Sequence, residues 1–146
     1  MLGLGDKAVC AGCHSASDKG GQGAAEMRRL VDELQAAHER AQAILTTAEH
    51  AGMEVSQAQF ELKGSTDALV KARAVVHAFA VETVRKEAEA GRAISAKAHA
   101  RGVQALEELR FRRQGLAVSV VIIAALIVGL VLKIRQLDRP DRERSS

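Results

Sequence analysis

The apolar residues of this chain fall into three amphipathic stretches and one unbroken apolar run. From Ala24 onward, Met27, Val31, Leu34, His38, Ala41, Leu45 and Ala48 alternate steps of four and three. That spacing lines one face of a helix and forms a heptad seam. Gly52 ends the pattern, because glycine takes the left-handed conformation that follows a last helical turn. Ser56 with Gln59 has the form of a capping box, and a second seam follows through Leu62, Thr66, Leu69, Ala72, Val76 and Phe79. The spacing predicts helices over about 24–51 and 56–79. Their short connection makes them antiparallel neighbours. Ahead of them, Gly20, Gly21 and Gly23 read as a flexible linker, which closes a first segment, 1–23.

A change of apolar face predicts a break between Ala80 and Glu82, and then a third helix over about 82–113. Its seam is made of small residues: Val84, Ala88, Gly91, Ala98, Gly102, Ala105 and Leu109. Small side chains let another backbone, or a flat cofactor, come close. No helix breaker separates this stretch from GLAVSVVIIAALIVGLVL, Gly115 to Leu132, which is 18 residues without a charge. At 1.5 Å per residue the run is about 27 Å long, close to the hydrocarbon thickness of a bilayer. Lys133 lengthens it by snorkelling. The expected fold is all-α: an antiparallel helical hairpin within a three-helix stalk (24–113), a single transmembrane helix (114–134) and a basic tail (135–146).

Composition narrows the function. Among 146 residues there is no Trp or Tyr, three Phe and one Pro. Alanine-rich helices pack closely but bury little area per residue, so a large independent core is not expected. The rest of the chain is too thin and polar to wrap the apolar run as a core helix. The formal net charge is +3. Its excess flanks the apolar run, with Arg101, Arg110, Arg112 and Arg113 before it and Lys133, Arg135, Arg139, Arg142 and Arg144 after it. No basic stripe interleaved with aromatics suggests nucleic acid. The basic counts favour a cytoplasmic C-terminus by a small margin. The carboxylates lie on solvated helix faces, and no nucleophilic or hydrolytic constellation is visible, so enzymatic activity in this chain is not expected.

The candidate chemistry sits at the start, in VCAGCHSASDKGGQG, which holds both cysteines, Cys10 and Cys13, with His14 directly after the second. Attaching haem through its vinyl groups needs two thiols about one turn of chain apart and an imidazole beside the second one to ligate iron. Cys10-Ala-Gly-Cys13-His14 supplies that set, the c-type attachment signature. A structural zinc site wants a second spaced ligand pair. The other histidines, His38, His50, His77 and His99, are scattered over helices. A redox dithiol belongs between a strand and a helix, and no strand is expected here. Incidental cysteines remain the plain alternative.

This motif, followed by a glycine-containing linker, amphipathic helices and LEELRFRRQGLAVSVVIIAALIVGLVLKIRQL, resembles the C-terminal part of bacterial membrane-anchored multihaem cytochromes c. The resemblance implies covalent haem c on Cys10 and Cys13, iron ligation by His14, and electron transfer. It implies attachment to the bacterial inner membrane as a single-pass protein, with the haem segment and helices periplasmic and the C-terminus cytoplasmic. Membrane lipid and other haem domains or redox subunits are the implied partners, and a homo-oligomer is allowed. One motif lying so close to Met1 leads to the expectation that the chain is the C-terminal portion of a longer cytochrome.

A second iron ligand is sought among the remaining histidines and Met27 and Met53. His50 stands in the last turn of helix one, where an imidazole interacts favourably with the helix dipole, and His99 adjoins the small-residue seam. With helix one about 41 Å long and helix two about 32 Å from Ser56 to His77, an antiparallel return carries His77 back toward the cysteine motif. His77, two residues before Phe79, is the expected distal ligand, and His38 in the first seam is the second candidate. A reading of another class is a membrane-anchored helical scaffold or sensor. Its seams would associate between chains, and its Cys-x-x-Cys-His would be incidental or bind a metal.

Overall fold

The computed structural model of the chain describes residues 15 and 17–137. It divides into two compact units, Met1–Leu106 and Glu107–Ser146. Three helices account for nearly all described residues: α1 (Lys19–His50), α2 (Ser56–Val75) and α3 (Val81–Leu137), with a 3-10 turn at Val76–Ala78. No strand occurs among the described residues.

Helix α1 begins five residues before the expected start, and the supposed linker glycines are helical. Asp18 is the reason. Its backbone is extended at φ −86°, ψ 161°, and its carboxylate accepts a 2.6 Å hydrogen bond from the Gly21 amide. That cap satisfies a first-turn donor that glycine propensity alone would leave to water. Gly21 is buried, so packing holds the turn as well. At its other end α1 stops as expected. Gly52 takes φ +82°, the Gly52 amide donates to the Glu49 carbonyl at 2.8 Å and the Met53 amide to the Ala48 carbonyl at 3.0 Å. This double bond is the Schellman closure. Helix α2 has no capping box: Val55 is its N-cap, without a side-chain hydrogen bond. Ser56 instead donates from its amide and its hydroxyl to Glu54. The break after α2 falls at Phe79, whose backbone is left-handed at φ 52°, ψ 34°. That conformation costs a non-glycine residue about 1–2 kcal/mol; the Phe79 ring, 47% exposed, lies with one edge against Gly23.

Contacts within the first unit fix the directions of the helices. Gln59 donates to Glu49 at 2.9 Å and Arg73 to Gln35 at 2.7 Å, so α2 runs against α1. Arg85 meets Glu26 at 3.2 Å, and Arg92 pairs with Glu33, so α3 runs along α1 in the same sense. Most of the large core side chains come from α1. It buries Met27, Leu30, Leu34 and Leu45 among smaller residues, while α3 buries Val84 and then only small residues, Ala88, Gly91, Ser95, Ala98 and Gly102. A Cβ placed on Gly91 would lie 2.7 Å from Leu34 Cδ1 and 2.8 Å from Ala68 Cβ. All three helices therefore converge where α3 has no side chain. One at Gly102 would lie 2.7 Å from Ile44 Cγ2.

On α2 the buried face is Ala58, Leu62, Ser65, Ala68 and Ala72 rather than the expected seam through Thr66 and Leu69. Ser65 and Ser95 are both fully buried and hydrogen-bonded to each other at 2.7 Å. Ser95 donates its one proton to the Gly91 carbonyl at 3.0 Å, so Ser65 must be the donor between the two hydroxyls. Thr66, carrying an extra methyl, stays exposed.

Ion pairs rim this core. Lys97 donates to Glu61 at 2.7 Å, and with Gln57 it holds the Glu61 carboxyl below the ordinary carboxylate range. Arg29 does the same for Glu26, and its own guanidinium is raised in return by Glu26 and Glu33. The Ser56 hydroxyl and amide lower Glu54. Exposed pairs of this kind are screened by solvent and add little net stability.

In the second unit, every described side chain from Arg110 to Leu137 is exposed. Leu116, Val121, Leu126 and Leu130 are each at least 67% exposed. This part of α3 is long and apolar enough to cross a membrane, and none of its apolar window is buried. Ser119 is the one polar side chain between Gly115 and Leu132. Its hydroxyl donates to the Gly115 carbonyl at 3.0 Å, so no polar group of the run needs water.

Two outcomes follow. Gly91→Ala should destabilise the first unit by about 1–3 kcal/mol through overpacking, despite gaining up to about 1 kcal/mol of helix propensity. Gly115→Ala, with open space around the added methyl, should not destabilise it; urea denaturation followed by circular dichroism compares the two. Because Glu26, Glu54 and Glu61 all have lowered folded-state values, their contribution is present above the ordinary glutamate value. It is lost as pH falls through the lowered values. Denaturation midpoints measured from pH 7 downward should decline in that acid range, and less steeply in Glu61→Gln.

Candidate functional site

Cys10, Cys13 and His14 lie outside the described residues. The chain is described from Ser15, directly after His14, and what happens there bears on the motif. The Ser15 amide donates to Asp18 Oδ2 at 2.7 Å while Asp18 Oδ1 takes the Gly21 amide at 2.6 Å. One carboxylate thus joins the residue after His14 to the first turn of α1. The Asp18 amide returns a bond to the Ser15 carbonyl at 3.3 Å. The Ser15 and Ser17 hydroxyls are 3.0 Å apart, and Gln22 Nε2 reaches the Ser17 carbonyl at 3.3 Å. The segment entering α1 is therefore held by its own short polar network.

The turn between α2 and α3 docks on the same first turns of α1. A Cβ on Gly23 would stand 3.2 Å from Phe79 Cε1, 3.3 Å from its Cζ and 3.5 Å from Val81 Cγ2. Glycine at 23 is what lets the Phe79 ring lie against the helix backbone. His77 stands two residues before Phe79, in the 3-10 turn, exposed. Its side chain makes no hydrogen bond among the described residues, which leaves both ring nitrogens open.

His38 is elsewhere. It lies half-buried on α1, 15 residues past Gly23, or about 22 Å along the axis. It lines an open cleft of about 270 Å³ between α1 and α2 with Gln42, Leu45, Gln59, Leu62 and Thr66. His77 is not part of that lining. His38 Nδ1 is buried without a hydrogen-bond partner among the described residues. His50 is exposed in the last turn of α1, and His99 is half-buried on α3. No group of three or more His, Cys, Asp or Glu able to hold a metal ion occurs among the described residues.

Asp18 has no part in the sequence-based expectation, in which Gly23 is a linker residue and Phe79 ends the second seam beside His77. A signal for the first was present: Asp three residues before a glycine amide, at the edge of a periodic stretch, is a helix start. Phe79 carried no such mark, since its left-handed backbone is foreign to an aromatic residue. No family model, curated protein or solved structure matches this chain.

If Asp18 holds the entry to α1, Asp18→Ala should cost about 1 kcal/mol and speed amide hydrogen exchange at Gly20, Gly21 and Gln22. Exchange at the middle of α1 should stay unchanged.

Proposed function

We propose that this chain is a membrane-anchored c-type cytochrome segment, the C-terminal part of a longer multihaem protein, that carries electrons at the outer face of a bacterial inner membrane. The observation that carries the reading is the Cys10-Ala-Gly-Cys13-His14 signature, and the Asp18 clamp beside it supports it. The Cys-x-x-Cys-His motif ends at His14, and Asp18 ties the very next residue to α1. The Phe79–Gly23 contact then brings the turn bearing His77 onto the same first turns of α1. Cys10 and Cys13 would bind haem covalently, and His14 would ligate its iron on one face. His77, with both ring nitrogens open, is the assigned distal ligand. His38 is less suited, being about 22 Å further along α1.

The donor set fits haem c: two thiols for the vinyl groups, an adjacent imidazole, and a second exposed imidazole on a braced turn. When bound, haem supplies a one-electron couple whose potential depends on its axial ligands and burial. The chain's own part is to hold the imidazoles. The Asp18 network limits motion of the segment after His14, and the left-handed Phe79 backbone with its seated ring limits motion of His77. The exposed apolar part of α3, with its single hydroxyl internally bonded, supports anchoring in lipid.

The scaffold reading loses ground on one point. Of the seams it would use between chains, Met27, Leu34, Ala41, Leu45 and Ala48 on α1 are buried within one chain, as are Leu62 and Ala72 on α2, whereas Thr66 and Phe79 are exposed.

Expression of the full chain with a c-type maturation system and an export signal should give haem absorbance that survives denaturation. That absorbance should vanish in Cys10→Ser with Cys13→Ser. A chain free of covalent haem under those conditions would overturn the proposal. His77→Ala should turn a low-spin spectrum high-spin, and an unchanged spectrum would remove His77 from the role.

A further inference from the structure

The four residues that precede the apolar run by one turn are Arg110, Phe111, Arg112 and Arg113. At about 100° per residue they point in four directions around the helix. Three cations and one aromatic ring therefore form a collar rather than a stripe. All four are exposed, Phe111 at 77%. Arg112 is paired with Glu108, whereas Arg110 and Arg113 have no ion-pair partner among the described residues.

Axial position separates these cations from the nearby acids. Taking Gly115 as the edge of the hydrocarbon, Arg113, Arg112 and Arg110 lie about 3, 4.5 and 7.5 Å outside it. The headgroup layer on each side of a bilayer is about 5–7 Å deep. Arg113 and Arg112 thus lie within it and Arg110 just beyond its outer edge, and their long side chains can reach the lipid phosphates. Glu108 and Glu107 lie about 10 and 12 Å out, beyond that layer, so their repulsion of an anionic headgroup is screened by water. Phe111 sits between the arginines at the depth where an aromatic ring fits the interface.

We propose that this collar binds the headgroups of anionic phospholipids, preferring them to zwitterionic lipid in the leaflet where the helix enters. The proposal rests on the reading of α3 as a membrane anchor, and names the lipid class that anchor selects. Arg110 and Arg113 supply the preference, and Arg112, shared with Glu108, contributes less.

The chain has no tryptophan or tyrosine, so Phe111→Trp creates a single reporter at the collar. The full-length variant is reconstituted into vesicles containing brominated phosphatidylglycerol or brominated phosphatidylcholine in a matched unlabelled background. Stronger quenching by the phosphatidylglycerol is expected. Adding Arg110→Gln and Arg113→Gln should reduce that preference, by up to about five-fold in relative binding for each arginine removed. Both substitutions are on exposed positions, and circular dichroism checks that helix content is kept. Equal quenching by the two lipids would overturn the proposal while leaving the anchor intact. An unreduced preference in the double-arginine variant would overturn the assignment to these residues. Quenching by neither lipid would overturn membrane anchoring itself.

Discussion

The first unit depends on how closely α3 can approach α1 and α2. At Gly91 the space that a methyl group would need is already taken by Leu34 from one helix and Ala68 from another. Everything else in the packing is adjusted to that contact. Larger residues on α1 fill the depth that α3 leaves, and buried alanines on α2, Ala58, Ala68 and Ala72, keep it at short range. The hydroxyls of Ser65 and Ser95 occupy positions where larger apolar side chains would push the helices apart. Close helix approach gains dispersion contact over many atoms at once, which suits a chain with few aromatic residues to bury. The same closeness brings the polar rim into range, so that Arg92 meets Glu33 and Lys97 meets Glu61 across helices.

The entry to α1 shows a different economy. One carboxylate, Asp18, holds this entry. The Asp18 carboxylate orders residues on both sides of itself, one of them adjacent to His14. The ring of Phe79 lies against Gly23, and the left-handed backbone turns the chain from α2 into α3 within a few residues. A polar clamp and an apolar contact thus act on the same first turns of α1.

Much of this was legible in the sequence, for physical reasons that can be named. The three-and-four spacing of Met27, Leu34, Ala41, Leu45 and Ala48 reports burial directly, since it is the period of a helix face. Gly52 reported the end of α1, and the small residues of α3 reported close approach in five of the six positions now seen buried, with Ser95 the one omitted. Ser95 was passed over because a hydroxyl scores as polar, and only its partner Ser65, 30 residues away in sequence, makes its burial tolerable. The same pairing shifted the buried face of α2 from Thr66 to Ser65. Glycines 20, 21 and 23 were read as a linker because intrinsic propensity penalises glycine in helices; a cap and tertiary packing outweigh that penalty. The Cys10, Cys13 and His14 motif was legible as chemistry but lies outside the described residues, so its reading still rests on its residue types.

The glycine contacts carry a consequence for how this sequence can drift. A core built from large residues can lose a methylene and relax, but a core whose closest points have no side chain can change only by enlargement. Enlargement at Gly91 is open only if Leu34 and Ala68 both yield room in the same step, and at Gly102 only if Ile44 does. These positions are therefore tied in small groups, and among relatives of this chain they should vary together or hold still.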